Sequence, residues 1–260
     1  MLPEPTTVDG SATIDRAVSK EFWDSRALLA SDPRSVTLDR QAAWSMRFEV
    51  RLYQGWLLRR LPRRRARQTV DLGCGNGDWT RVLAGRSDRI LAVDFSDGMV
   101  EACRRQLASS GHLERSCFVC GDVSEVMLPE SDLVIAGAVT QYLTDERVDA
   151  MLGNVHRALT PDGVFYLRTT VSTTGSTQVR ADATFQGIYR PKGWFDERVA
   201  AAGFEVVETT TATEFVADEV SRRFLGPLRP LLYHPLHALR RFMRRAKPTD
   251  VAVYLLRRQA

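Results

Sequence analysis

The chain has 260 residues, 44% of them hydrophobic and 26% charged, a profile that excludes disordered and fibrous classes and supports one sizeable core. No apolar run approaches the roughly 18–20 residues of a membrane span. The N-terminal MLPEPTTVDG has neither the basic nor the apolar region of a secretory signal, and four cysteines make no disulfide scaffold, so a reduced, cytoplasmic protein is expected. The net charge of +4 rests on 36 basic residues, 33 arginines and three lysines (Lys20, Lys192 and Lys247). So lopsided a ratio reads as coding bias, and basicity alone does not argue for nucleic acid.

Residues 1–14 are polar and proline-bearing and are expected to be disordered. Residues 15–68 read as an N-terminal helical cap. Phe22, Trp23, Leu28 and Leu29, then Trp44, Phe48, Leu52 and Trp56, recur at helical spacings. From Thr69 the pattern changes to short apolar strands at 69–73, 89–95, 117–122, 132–137 and 164–171. Helical stretches separate them at 78–84, 98–109 and 145–159, and another follows at 192–202, where Gly203 supplies a stop. Strands alternating with helices predict an α/β, doubly wound, mostly parallel sheet covered on both faces. FEVVETTTAT (204–213) and VAVYLLRR (251–258) read as two further strands around an insertion at 214–248.

Cys117 and Cys120 form a C-x-x-C inside SCFVCGD. In a strand this odd spacing sends the two side chains to opposite faces, and no second pair lies nearby. They are read as ordinary core cysteines, and no metal site is expected.

The informative segment is VDLGCGNGDW (70–79), at a strand-to-helix junction. Glycines there let the backbone turn sharply and approach a ligand, beside the free N–H groups of the following helix. No Gly-Lys-Ser/Thr follows, which excludes a P-loop. The third glycine of a dinucleotide fingerprint is replaced by Asp78, which disfavours a nicotinamide oxidoreductase. Asp71, two residues before Gly73, would repel a pyrophosphate but suits an ammonium group. Asp94 ends the next strand, where a carboxylate can accept both hydroxyls of a ribose. Asp122 closes the third strand, placed for an exocyclic amine. Ligands of such sheets bind beyond the carboxyl ends of the strands, so the three acids converge on one crevice.

VDLGCGNGDW, LAVDFSDGMV, GDV, SDLVIAGAVTQYL and LTPDGVFYLRT, in this order, resemble the motifs of class I S-adenosylmethionine-dependent methyltransferases. The resemblance covers roughly residues 69–213. It implies a Rossmann-like seven-stranded sheet whose antiparallel last strand is VAVYLLRR, with S-adenosyl-L-methionine as cofactor. It places Gly73, Gly75 and Gly77 beneath the methionine moiety, Asp71 beside its amino group and Asp94 on the ribose. Phe95 and Met99 would pack the adenine, Asp122 and Val123 would meet its amino edge, and Gly137, Ala138 and Val139 would flank the sulfonium. Trp79 stands where a small or aliphatic residue is expected.

Methyl transfer requires positioning more than a fixed catalytic residue, so none is assigned. Acceptor-side candidates are Gln141, Tyr142 and Arg168, with STTGSTQ (172–178) and Tyr189. His112 and His156 read as solvated or structural, whereas His234 and His237 fall in the insertion. Arg59, Arg60, Arg63, Arg64, Arg65 and Arg67 precede the first strand and should lie at the end of the sheet opposite the chemistry. The second basic cluster, 222–247, contains no acidic residue and is read first as a cap over the acceptor. An interfacial membrane helix and an RNA surface are its weaker readings. The expected function is methylation of an O or N atom of a small-molecule substrate. Its rivals are an RNA or protein methyltransferase and a cofactor-binding regulatory protein without transfer activity. The oligomeric state is not legible.

Overall fold

A computed structural model describes residues 6–7, 13–29, 43–212, 214 and 248–259. After a two-residue strand β1 (Thr6–Thr7) come helices α1 (Arg16–Ala27) and α2 (Ala43–Arg60). Then β2 (Ala66–Leu72), α3 (Asp78–Ala84), β3 (Ser87–Asp94), α4 (Asp97–Ser109), β4 (Ser116–Cys120) and β5 (Ser131–Gly137) alternate. The chain continues through α5 (Asp145–Ala158), β6 (Leu159–Ser172), β7 (Gln178–Ala181), β8 (Gln186–Tyr189), α6 (Lys192–Ala201), β9 (Phe204–Thr211) and β10 (Thr249–Arg258).

Seven strands form one sheet in the order β4-β3-β2-β5-β6-β10-β9. The first five are mutually parallel, and β10 runs antiparallel to both β6 and β9. This is the α/β, doubly wound architecture expected, with its antiparallel last strand. Side-chain alternation along the strands divides the core in two. Val70, Leu72, Val134, Ala136, Phe165 and Leu167 meet Val148, Met151 and Val155 of α5 and Phe195 of α6. Leu133, Ile135, Val164 and Tyr166 instead meet Tyr53, Trp56 and Leu57 of α2 and Leu83 of α3. Both faces are covered, which is why the parallel strands read as continuous apolar runs.

The helical stretch at 15–60 divides between α1 and α2, and only α1 lies over the crevice; α2 packs on the sheet. Asp15 caps α1 by accepting from the Ala17 N–H at 2.8 Å, in the expected N-cap geometry. Lys20 bridges Asp24 at 2.8 Å and Asp97 at 2.7 Å, and the Ser96 hydroxyl donates to Asp24 at 2.5 Å. These contacts fasten α1 to the start of α4.

Three features depart from the sequence reading. STTGSTQ leads into a β7–β8 hairpin, which with Thr6–Thr7 makes a second, three-stranded antiparallel sheet. Four-residue strands flanked by Ser and Thr carry no alternation long enough to read. β6 begins at Leu159, directly after α5, so LTPDG belongs to the strand, with a register irregularity opposite Ser131–Leu133. Finally, Cys117 and Cys120 are exposed rather than core cysteines, because β4 is the edge of the sheet.

Candidate active site

The strand order reverses between β2 and β5, and the turn after β2 builds the floor of the crevice that opens there. Gly73 has φ +75°, and a Cβ on it would lie 3.1 Å from the Val139 Cβ. Gly77, at φ +87°, precedes α3, and a Cβ there would come within 3.1 Å of the Cys103 backbone. Both positions therefore need glycine for conformation and for close approach. The Gly73 and Cys74 N–H groups donate to the Val93 carbonyl at 2.8 and 3.0 Å, which ties the turn to β3.

The three acids differ in environment. Asp71 is buried behind the turn, where the Thr80 hydroxyl donates to it at 2.6 Å. Burial pushes its carboxyl up to about 7, against the Thr80 bond, which lowers it, and with help from the Asp94 charge. Burial also raises Asp94, opposed by the backbone N–H groups of Ser96 and Gly75. Those donors reach its Oδ1 and Oδ2 at 3.0 and 2.8 Å. Asp122 is also buried. Its Oδ1 accepts from the Ser124 N–H at 2.8 Å and hydroxyl at 2.5 Å, while Arg147 and Arg16 pair with Oδ2.

A cavity of about 120 Å³ joins these groups, lined in part by Gly73, Gly75, Asp94, Phe95, Met99, Asp122, Val123, Ala138 and Tyr142. Asp71 and Gly77 lie outside the lining and support the turn from behind. Ala138 has φ +65°, a left-handed conformation rare for a residue with a Cβ, at the point where β5 ends. Tyr142 sits in a single 3₁₀ turn, Thr140–Tyr142, edge-on to Trp23 at 5.1 Å, and burial raises its hydroxyl so that it stays protonated. Gln141 is buried, and its Oε1 has no hydrogen-bond partner. Arg168 does not line the cavity but approaches it at Gly137, where a Cβ would be 3.8 Å from its Nη2.

Several residues here were not legible in the sequence. Arg16 and Trp23 come from α1 and Arg147 from α5, and they line the cavity only because those helices cross its mouth. The Arg16 guanidinium lies 5.0 Å from the Phe95 ring centroid, over the face read as an adenine platform. Arg190 is 1% exposed and binds Asp145 at 2.7 Å, the Thr140 carbonyl at 3.1 Å and the Leu143 carbonyl at 2.8 Å. It holds the 140–145 wall in place. Arginine directly before Pro191 was the only signal.

The upstream arginine cluster lies at the amino end of β2, away from the crevice, as expected. Arg60 pairs with Glu208, Arg65 with Asp88 and Arg67 with Asp132. His156 packs edge-on to Phe204 in a structural role, and His112 lies beyond the end of α4. His234, His237 and the 222–247 cluster lie outside the described residues.

Residues 69–163, the span that builds the turn, the three acids and Ala138, match the family model described as a methyltransferase domain. These residues thus resemble a methyltransferase domain. The chain is 31% identical over 101 residues to the carboxy-S-adenosyl-L-methionine synthase of Shewanella sediminis, covering 37% of this chain and 42% of that protein. The Shewanella oneidensis enzyme of the same name is 33% identical over 104 residues, covering 38% of this chain and 43% of its own length. The chain thus spans less than half the length of these curated relatives.

Among solved structures, the Burkholderia thailandensis 1,6-didemethyltoxoflavin-N1-methyltransferase with bound S-adenosylhomocysteine has a TM-score of 0.64 at 18% identity, covering 98% and 95% of the two chains. The Mycobacterium tuberculosis cyclopropane synthase MmaA2 has 0.67 at 14% identity, covering 96% and 100%. The [4+2]-cyclase SpnF has 0.66 at 17% identity, covering 97% and 100%. At these identities the likeness is one of fold, and it extends beyond the methyltransferase domain to nearly the whole chain. Among the described residues no helix is long and apolar enough to cross a membrane.

Proposed function

We propose that the protein is an S-adenosylmethionine-dependent methyltransferase acting on an O or N atom of a small molecule. The observation that carries this reading is the single cavity in which Gly73, Asp94, Phe95, Met99, Asp122 and Ala138 meet. The groups fit the cofactor in kind. Asp71, raised to about 7 by burial and so half-protonated near neutral pH, would regain its full charge beside an ammonium. Asp94 lines the cavity as an acceptor for ribose hydroxyls, and Phe95 and Met99 offer apolar faces to a purine. Asp122 already satisfies both oxygens within the protein, so a contact to an exocyclic amine requires Arg16 or Arg147 to yield one bond.

When bound, the cofactor supplies an activated methyl group on a sulfonium. The chain's own work is to hold the acceptor's nucleophile in line and to keep water out. Trp23, Tyr142 and Leu143 add apolar surface to the cavity lining. Tyr142, kept protonated, donates rather than abstracts a proton. A small acceptor is favoured because Arg60, Arg65 and Arg67 of the upstream cluster are paired within the fold at the far end of the sheet.

Calorimetry with S-adenosylmethionine and with NAD tests the cofactor. Binding of NAD alone, or of neither, sinks the reading. Incubation with methyl-labelled cofactor and separated small-molecule, RNA and protein fractions tests the acceptor. Label confined to a macromolecular fraction excludes the small-molecule assignment. The curated relatives' name makes modification of the cofactor itself a second reading, and mass analysis of the cofactor after turnover distinguishes it.

A further inference from the structure

Helix α1 contributes a polar side chain to the cavity that the fold itself does not satisfy. Ser19 is 8% exposed and lines the cavity, and its Oγ has no hydrogen-bond partner among the described residues. A serine inside a helix often spends its hydroxyl on the carbonyl four residues earlier. Here the Asp15 carbonyl accepts only from the Ser19 N–H, at 3.1 Å, and the hydroxyl stays unpaired. Buried polar groups are normally satisfied, so this one calls for a partner from outside the chain.

Its neighbours on the helix say where in the cavity that partner lies. Arg16, Ser19 and Trp23 are spaced by three and four residues, so they share one helix face, and all three line the cavity. Arg16 pairs with Asp122 at 3.2 Å and lies over the Phe95 ring, whereas Trp23 meets Tyr142. Along the helix axis Ser19 therefore falls between the Asp122 end and the Tyr142 end. The adjacent stripe of α1 is fastened to the turn that directly follows Asp94. Lys20 pairs with Asp97, and Asp24 accepts from the Ser96 hydroxyl and, at 3.4 Å, from the Gly98 N–H. Burial raises the Asp94 carboxyl first, and the Asp24 charge adds to the rise, so α1 is near enough to act on Asp94. Asp94 and Ser19 thus line one cavity from two elements, β3 and α1.

The two groups are complementary in kind. An ionised carboxylate only accepts, whereas a hydroxyl also donates. A sugar hydroxyl that donates to Asp94 keeps oxygen lone pairs that have left water and need a donor of their own. A ligand carboxylate would instead call for a cation, and the cation on this face, Arg16, is committed to Asp122 and Glu125.

Resting on the methyltransferase reading, we infer that Ser19 is a cofactor-binding residue supplied by α1, whose hydroxyl donates to a ribose hydroxyl oxygen held by Asp94. Helix α1 then belongs to the cofactor site, and Ser19 helps to select ribose over deoxyribose.

Isothermal titration of the full chain with S-adenosylhomocysteine and with its 2′-deoxy and 3′-deoxy analogues tests this. Ser19→Ala should weaken S-adenosylhomocysteine about 3–10-fold. It should leave unchanged the affinity of one deoxy analogue, the one lacking the hydroxyl that Ser19 reaches. The ligand-free variant should melt no lower than wild type, since it loses an unpaired hydroxyl and gains a better helix former. Unchanged affinity for S-adenosylhomocysteine overturns the inference. So does an equal loss for all three ligands, which places the contact elsewhere on the cofactor, or a lowered ligand-free melting temperature, which makes Ser19 a support of α1. If S-adenosylhomocysteine does not bind the wild type, the methyltransferase reading itself falls, and the inference with it.

Discussion

Asp71 makes the most specific demand on experiment. Its carboxyl is raised from 3.8 to about 7, first by burial and then by the Asp94 charge, against the opposing Thr80 hydrogen bond. Such a rise corresponds to on the order of 4 kcal/mol against ionisation in the ligand-free fold, an upper bound because local opening lets water reach the group. The sign follows from linkage. The folded state holds this proton more tightly than the unfolded chain, so its contribution is fully present below about pH 4. It is lost as the pH rises to about 7. Asp71→Asn removes the titration, so the ligand-free variant should gain melting temperature relative to wild type at pH 8 and little at pH 4.

Binding of a ligand ammonium reverses the balance, because a neighbouring cation favours the carboxylate. At pH 7 the wild type should release about half a proton on binding S-adenosylhomocysteine. The variant should release none from this site and bind roughly 10–100-fold more weakly. Calorimetry at pH 7 in phosphate and in Tris measures the proton directly from the difference in apparent enthalpy. If wild type and Asp71→Asn show the same buffer dependence and the same pH profile of melting temperature, Asp71 is not the strained acid described above.

Three other substitutions test the frame around the site. Gly77→Ala forces a side chain into a left-handed conformation and to within 3.1 Å of the Cys103 backbone, and it should cost about 2–4 kcal/mol in chemical denaturation. Arg190→Met strips the buried partner from Asp145 and two carbonyls of the 140–145 wall. A loss of about 3–5 kcal/mol is expected, and a loss below 1 kcal/mol would show that the wall holds itself. Gly98→Val meets Ala27, since even a Cβ would lie 2.7 Å from the Ala27 Cβ, so α1 should lift from α4. Proteolysis near α1 should accelerate and S-adenosylhomocysteine should bind more weakly, while unchanged cleavage would mean that α1 is held elsewhere.

Local signals carried the sheet. The 78–84 helix agrees with α3 end for end because a glycine turn precedes it and an apolar strand follows. The parallel strands announced themselves as short apolar runs because both faces are covered. The same legibility extended to the placement of Gly73, Asp94 and Asp122 at the crevice, since strand ends in this topology have one place to go, whereas Asp71 lies behind the lining. Where the local pattern was short or two-sided it misled. The β7–β8 hairpin hid in a Ser/Thr-rich stretch, and the cysteines of an edge strand read as core.

Length, composition and motif order by themselves determined an α/β chain with a crevice at its strand ends. Only the tertiary structure separated the arginines by task. Arg60, Arg65 and Arg67 pair across the closed end of the sheet, Arg16 and Arg147 neutralise Asp122, Arg190 braces a wall, and Arg168 has no carboxylate partner among the described residues. Sequence records a charge at each of these positions. Its effect depends on which opposite charge lies within a few ångströms and how much water lies between, and chain folding alone sets both.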